Sequence, residues 1–166
     1  MRRLWPIIVV LAASGSCVGR SHIQDDGDYE LAFVESKVIK DTCGTLAGHP
    51  VADAPYKKLW NAKLVVLGDT VRLTSQLFSV QLVGDYQQAL GSDKREHFIL
   101  DGSANNVTAN IAGAQCLVDI VNMHLEANTE SAELFTGVVS VRYDTRQPAS
   151  CNCEYLVNFR AVKQTP

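Results

Sequence analysis

Lys63-Leu-Val-Val-Leu67, Gly68-Asp69 and Thr70-Val-Arg-Leu-Thr74 follow one another without a break. Val, Leu and Thr suit a pleated, half-buried surface, and Gly-Asp supplies the unusual backbone angles of a tight turn. Two such runs separated by two turn residues read as a β-hairpin. C-terminal to it, Val71 and Leu73 fall on odd positions, whereas Phe78, Val80 and Leu82 fall on even ones. A slip of one residue flips every side chain, so a bulge or turn is expected near Ser75-Gln76. A hydrophilic stretch from Asp85 to Glu96 then leads into His97-Phe-Ile-Leu100, which Asp101-Gly102 is expected to close.

Three more apolar segments complete that side. In Cys116–Leu125, Leu117, Ile120, Val121 and Leu125 fit a helix face, but β-branched Val118, Ile120 and Val121 favour a strand. Phe135–Tyr143 and Cys151–Val162 read as strands, with Tyr155, Val157 and Phe159 alternating in the second. On the N-terminal side a long loop is expected from Asp41 to Lys58, where Asp53-Ala-Pro55 offers the start of one helical turn. Before it, Tyr29, Leu31 and Phe33 alternate with Glu30 and Ala32, the mark of a half-buried strand. The expected fold is all-β: an antiparallel meander of about eight strands forming a small barrel, with a β-sandwich as the alternative.

The N-terminus carries a different signal. Arg2 and Arg3 precede a short apolar run, Ile7–Ala13, and then the small residues Ser14-Gly15-Ser16. The apolar run is shorter than the roughly 20 residues a spanning helix needs. Residues 1–16 therefore read as a signal peptide. Cys17 follows at once, and the stretch resembles a bacterial lipobox, in which a small residue precedes a cysteine that is lipidated. Ser14 departs from the pattern, which usually has an aliphatic residue there. The resemblance implies lipid attachment at Cys17 and a membrane contact through that lipid. Val18 in the next position implies outer-membrane sorting, and ordinary cleavage to a periplasmic or secreted protein is the alternative. Residues 17–27 read as a polar tether and 28–164 as a single domain.

Loss of the leader with its two arginines takes the formal charge from −3 to −5 and leaves 150 residues. A domain of that size buries roughly 68–70% of its unfolded surface. No basic patch interleaved with aromatics is present, so nucleic acid is not an expected partner. With Cys17 lipidated, Cys43, Cys116, Cys151 and Cys153 remain, an even number in an exported chain. In an up-and-down meander the first strand ends near Cys43, while the sixth and eighth start at Cys116 and at Cys151-Asn-Cys153. All four thiols then gather at one rim. Cys43 and Cys116 should each bridge one member of the Cys151/Cys153 pair, which is expected on one strand. Cys43–Cys153 with Cys116–Cys151 is preferred, and the swapped pairing stays open.

Gly27-Asp28-Tyr29 and Arg160 are similar to features of lipocalin-like barrels. There a Gly-x-Trp triplet opens the first strand and an arginine on the last strand packs across the aromatic ring. Here Tyr29 stands in place of the tryptophan. The expected interior is lined by Tyr29, Leu31, Phe33, Tyr155, Val157 and Phe159, and a barrel of this size can hold a small apolar ligand.

Other chemistry is poorly represented. Cys-x-Cys lacks zinc-site spacing, and Asp25-Asp26-Gly27-Asp28 lacks the full calcium-loop pattern. His22, His49, His97 and His124 form no metal motif, and neither a Gly-x-Ser-x-Gly elbow nor a phosphate loop occurs. Asp41, Asp69, Asp85, Asp101 and Asp144 fit turn positions. Asn106-Val107-Thr108 matches a glycosylation acceptor and reads as loop. No cofactor, metal or catalytic activity is expected. The chain reads as a lipid-anchored envelope protein whose barrel holds a small apolar ligand or, alternatively, engages another envelope protein with a packed core.

Overall fold

A computed structural model describes residues 24–87, 96–146 and 149–165. Nine antiparallel strands form one sheet: β1 Gly27–Asp41, β2 Val51–Asp53, β3 Tyr56–Leu67, β4 Thr70–Ser75, β5 Gln81–Gln87, β6 His97–Ile111, β7 Ala114–Ser131, β8 Leu134–Asp144 and β9 Cys153–Lys163. From β3 to β9 each strand pairs with the next, and β1 pairs with both β3 and β9. Eight strands thus close a ring of hydrogen bonds, and β2 is a short addition on β3.

The hairpin expected over 63–74 is β3–β4, in register from Ala62↔Ser75 to Leu67↔Thr70. The expected change of phase is a turn over 76–80, where Phe78 and Ser79 both have φ of 54°. Three expectations need correction. Tyr56–Lys58 belong to β3 rather than the loop, because they pair with β1 and help to close the ring. Pro55 immediately precedes a strand, and the helical turn nearby is a 3-10 turn at Leu46–Gly48. Asp101-Gly102 does not end a strand, since β6 runs through it to Ile111.

Gly102 lies where β5 approaches closely. A Cβ there would collide with the Gln81 carbonyl, and a Cβ on Gly84 would collide with that of Ile99. These glycines serve strand curvature, with backbone approaching where a side chain would stand. Asp85 and Asp101 accordingly sit within strands, not turns.

The β6–β7 hairpin extends beyond its neighbours. Pairing with β5 stops at Val83↔Asp101, and pairing with β8 stops at Ile120↔Asp144. In β6 the buried residues Phe98 and Leu100 are even-numbered, but Ala109 and Ile111 are odd-numbered. In β7 the change runs from Cys116 and Val118 to Val121, Met123 and Leu125. The phase reverses at Asn106, which has φ of 53°. Asparagine tolerates this left-handed region better than most residues. Asn106-Val107-Thr108 is therefore a kink in a strand, not the expected loop. Beyond it the apolar face of the hairpin joins the core, and its tip reaches the end of β1, where a Cβ on Gly44 would lie 3.9 Å from Ala112 Cβ.

The opposite rim is closed by the first described residues. Gln24 is fully buried, and its Nε2 donates to Tyr29 Oη and to the Ala132 carbonyl, each at 2.8 Å. Asp26 Oδ1 accepts from Val66 N at 2.7 Å, and Asp25 N donates to Ala132 O at 2.8 Å. Residues 24–27, expected in the tether, are docked on the closed sheet.

Candidate functional site

All six side chains expected to line the interior point inward and are buried. Their rings meet across the space. Phe135 of β8 lies 5.2 Å from Tyr29, 5.4 Å from Phe98 and 5.9 Å from Phe159 between ring centroids, and Tyr86 lies 5.4 Å from Phe98. Tilted and edge-on contacts at these separations are favourable beyond their buried area. Nearer the other rim, Tyr143 contacts Tyr155 at 6.4 Å and Phe78 at 6.2 Å. Phe135 was readable as inward from the alternation of its segment, but not as the hub of the cluster.

Burial governs the buried phenols. It pushes Tyr29 up to about 12, opposed by the hydrogen bond from Gln24. Tyr143 likewise rises to about 12 by burial, and Tyr155 is raised well above the usual tyrosine range by burial and by Tyr143.

The cysteine rim forms as expected. Cys43 is bonded to Cys153 and Cys116 to Cys151, with Cα atoms 5.0 and 5.9 Å apart. One detail differs: Cys151 ends a 3-10 turn, Ala149–Cys151, and only Cys153 lies on the strand. The 3-10 turn brings Cys151 to the hairpin. Thr145 and Arg146 hold the same hairpin, through Thr145 Oγ1 to Leu117 O at 3.1 Å and Arg146 N to Asp119 Oδ2 at 2.7 Å. Cys17 lies outside the described residues.

Arg160 does not pack on Tyr29, which faces the interior. It lies on the outer face with Cζ 3.4 Å from the centre of the Tyr56 ring, and its Nη2 is 3.6 Å from Asp53 Oδ2. Beside it the β1–β9 ladder is interrupted. Phe33 pairs with Phe159 and Val38 with Val157, so residues 34–37 of β1 bulge opposite Asn158 alone. The bulge leaves an outer groove of about 310 Å³ that reaches Phe33 and Phe159. Asn158 Nδ2 donates to Lys37 O at 3.1 Å across it.

A second groove, about 410 Å³, lies over β6–β8. Asp101, His124 and Ser140 occupy one cross-strand row there, and Asp101 Oδ1 is 2.7 Å from His124 Nδ1. Ser140 Oγ instead donates to Glu154 Oε1 at 3.2 Å, so the row lacks the hydroxyl–imidazole hydrogen bond of a nucleophile and its base. The Lys40 hydrogen bond foremost holds the Glu154 carboxyl below its usual range. No group of three or more His, Cys, Asp or Glu that could hold a metal occurs among the described residues. Asp25 is 3.3 Å from Lys163 Nζ, and Asp26 accepts a backbone hydrogen bond. Comparison with protein-family models and with curated proteins finds no match.

Proposed function

We propose that this chain is a non-enzymatic, lipid-anchored protein of a bacterial cell envelope that acts through the outer faces of its barrel. The meeting of Tyr29, Phe98, Phe135 and Phe159 across the interior carries this reading. An apolar ligand inside would have to displace these rings. The leader, with Cys17 after Ser14-Gly15-Ser16, supports the anchor, and two disulfides fit an oxidising compartment. Outer-membrane sorting follows from Val18 by the lipoprotein resemblance.

The filled interior is tested with a neutral apolar probe. Benzene added to the purified protein should leave the resonances of Tyr29 and Phe159 unmoved. In Phe135→Ala, which opens a dry cavity at roughly 3–5 kcal/mol of stability, benzene should bind and shift them. Stoichiometric benzene binding inside the wild-type protein overturns the packed-core reading. The anchor is tested separately by labelling cells with an alkyne fatty acid. Cys17→Ser should abolish the label and release the protein from membranes, and labelling that persists in the variant overturns lipidation.

A further inference from the structure

We propose that the groove at the β1–β9 bulge binds a small amphipathic carboxylate. Its apolar wall is made by the half-buried Val34 and Tyr56, above the buried cross-strand pair Phe33 and Phe159. Its rim is cationic, through Arg160 and Lys37. The guanidinium is pre-oriented by Tyr56, on which it stacks at 3.4 Å, a cation–π contact that fixes the plane of its donors.

The donors are incompletely used. Arg160 Nε is buried with no acceptor among the described residues. The nearest carboxylate, Asp53, stands 3.6 Å from Nη2, beyond good hydrogen-bond distance, and its side chain is 83% exposed. The Arg160 side chain is partly exposed, and the accessible edge of a guanidinium matches a carboxylate bidentately. Lys57 pairs with Glu35 at 3.3 Å, whereas Lys37 makes no ion pair among the described residues. Lys37, Lys57 and Arg160 set against Glu35 and Asp53 leave one positive charge, which suits a monoanion. Size narrows the class further. About 310 Å³ is at the lower end for small-molecule sites and holds roughly ten water-sized groups. Octanoate, with about ten heavy atoms, has that size, one carboxylate for Arg160 and a chain to lie against Val34 and Tyr56.

The test is a titration of octanoate into the intact protein, followed by amide ¹H–¹⁵N spectra. Saturable shifts should centre on Phe33, Lys37, Asn158 and Arg160. Octanol, which keeps the chain and lacks the charge, should bind at least about tenfold more weakly, in line with the loss of a charge-assisted pair. Arg160→Gln should weaken octanoate about tenfold or more. Asp53→Asn, which removes the competing carboxylate, should tighten it. Lys37→Gln, on an exposed position that leaves folding intact, should weaken it severalfold. The proposal is overturned if octanol binds as tightly as octanoate, or if Arg160→Gln and Lys37→Gln both leave the affinity unchanged. It is equally overturned if the shifts gather on Phe135 and Phe98, or if none saturates below about 10 mM.

Discussion

Burial of Tyr29, Tyr143 and Tyr155 gives the molecule a defined alkaline weakness. Tyr29 and Tyr143 are held near 12 by burial, Tyr155 is pushed well above the usual range, and phenols in an unfolded chain ionise near 10. Below pH 10 both states keep these protons and stability is unaffected. Above it the unfolded chain releases protons that the folded chain retains, so stability falls as pH rises from 10 towards 12, by on the order of 1 kcal/mol per pH unit for each such tyrosine. Urea midpoints measured from pH 8 to 11.5 should be flat and then drop. Tyr143→Phe should make the drop shallower, and an unchanged slope would remove Tyr143 from this account. The inward direction of Tyr29 and Tyr155 was legible from period-two alternation alone. The left-handed backbone of Asn106 was not, because asparagine serves loops and strand kinks through the same local tolerance of positive φ.

Among the elements, β5 and β6 depend on two glycines whose missing side chains let the strands approach. Gly84→Ala should destabilise by roughly 1–3 kcal/mol, towards the upper end because the Ile99 carbonyl, a backbone atom, must move. Chemical denaturation measures this directly, and a cost within about 0.5 kcal/mol would show that the strands can part at no penalty. These positions also mark where sequence reading works and where it stops. The hairpin at 63–74 and the turn after Ser75 were legible because a two-residue turn and a phase change are local properties. Asp101-Gly102 has the same turn-forming composition but sits inside β6, where a glycine is required by the neighbouring strand rather than by its own chain. The β1–β9 bulge was equally silent, since Val34–Lys37 gives no local sign of facing a single partner residue.

At the scale of the whole molecule, ring closure leaves β2 as an added outer strand, and that strand is three residues long with Pro50 before it and Pro55 after. Short, proline-flanked edges resist pairing with other chains. The gathering of four cysteines at one rim was legible because strand direction in a meander fixes which ends meet. The docking of Gln24 was not, since a polar terminal stretch gives no sign of the acceptors waiting at Ala132 and Tyr29. The Cys43–Cys153 bond has a mechanical corollary. Tension pulling the two chain ends apart enters at β1 and leaves through β9, and the bond carries it across between them. The 110-residue span between these cysteines, which holds seven of the nine strands, lies off the load path. A single molecule pulled from its ends should therefore withhold about 370 Å of contour length, at roughly 3.4 Å per residue, until a reductant is added. An oxidised molecule that yields its full length would show that the bond is open under load.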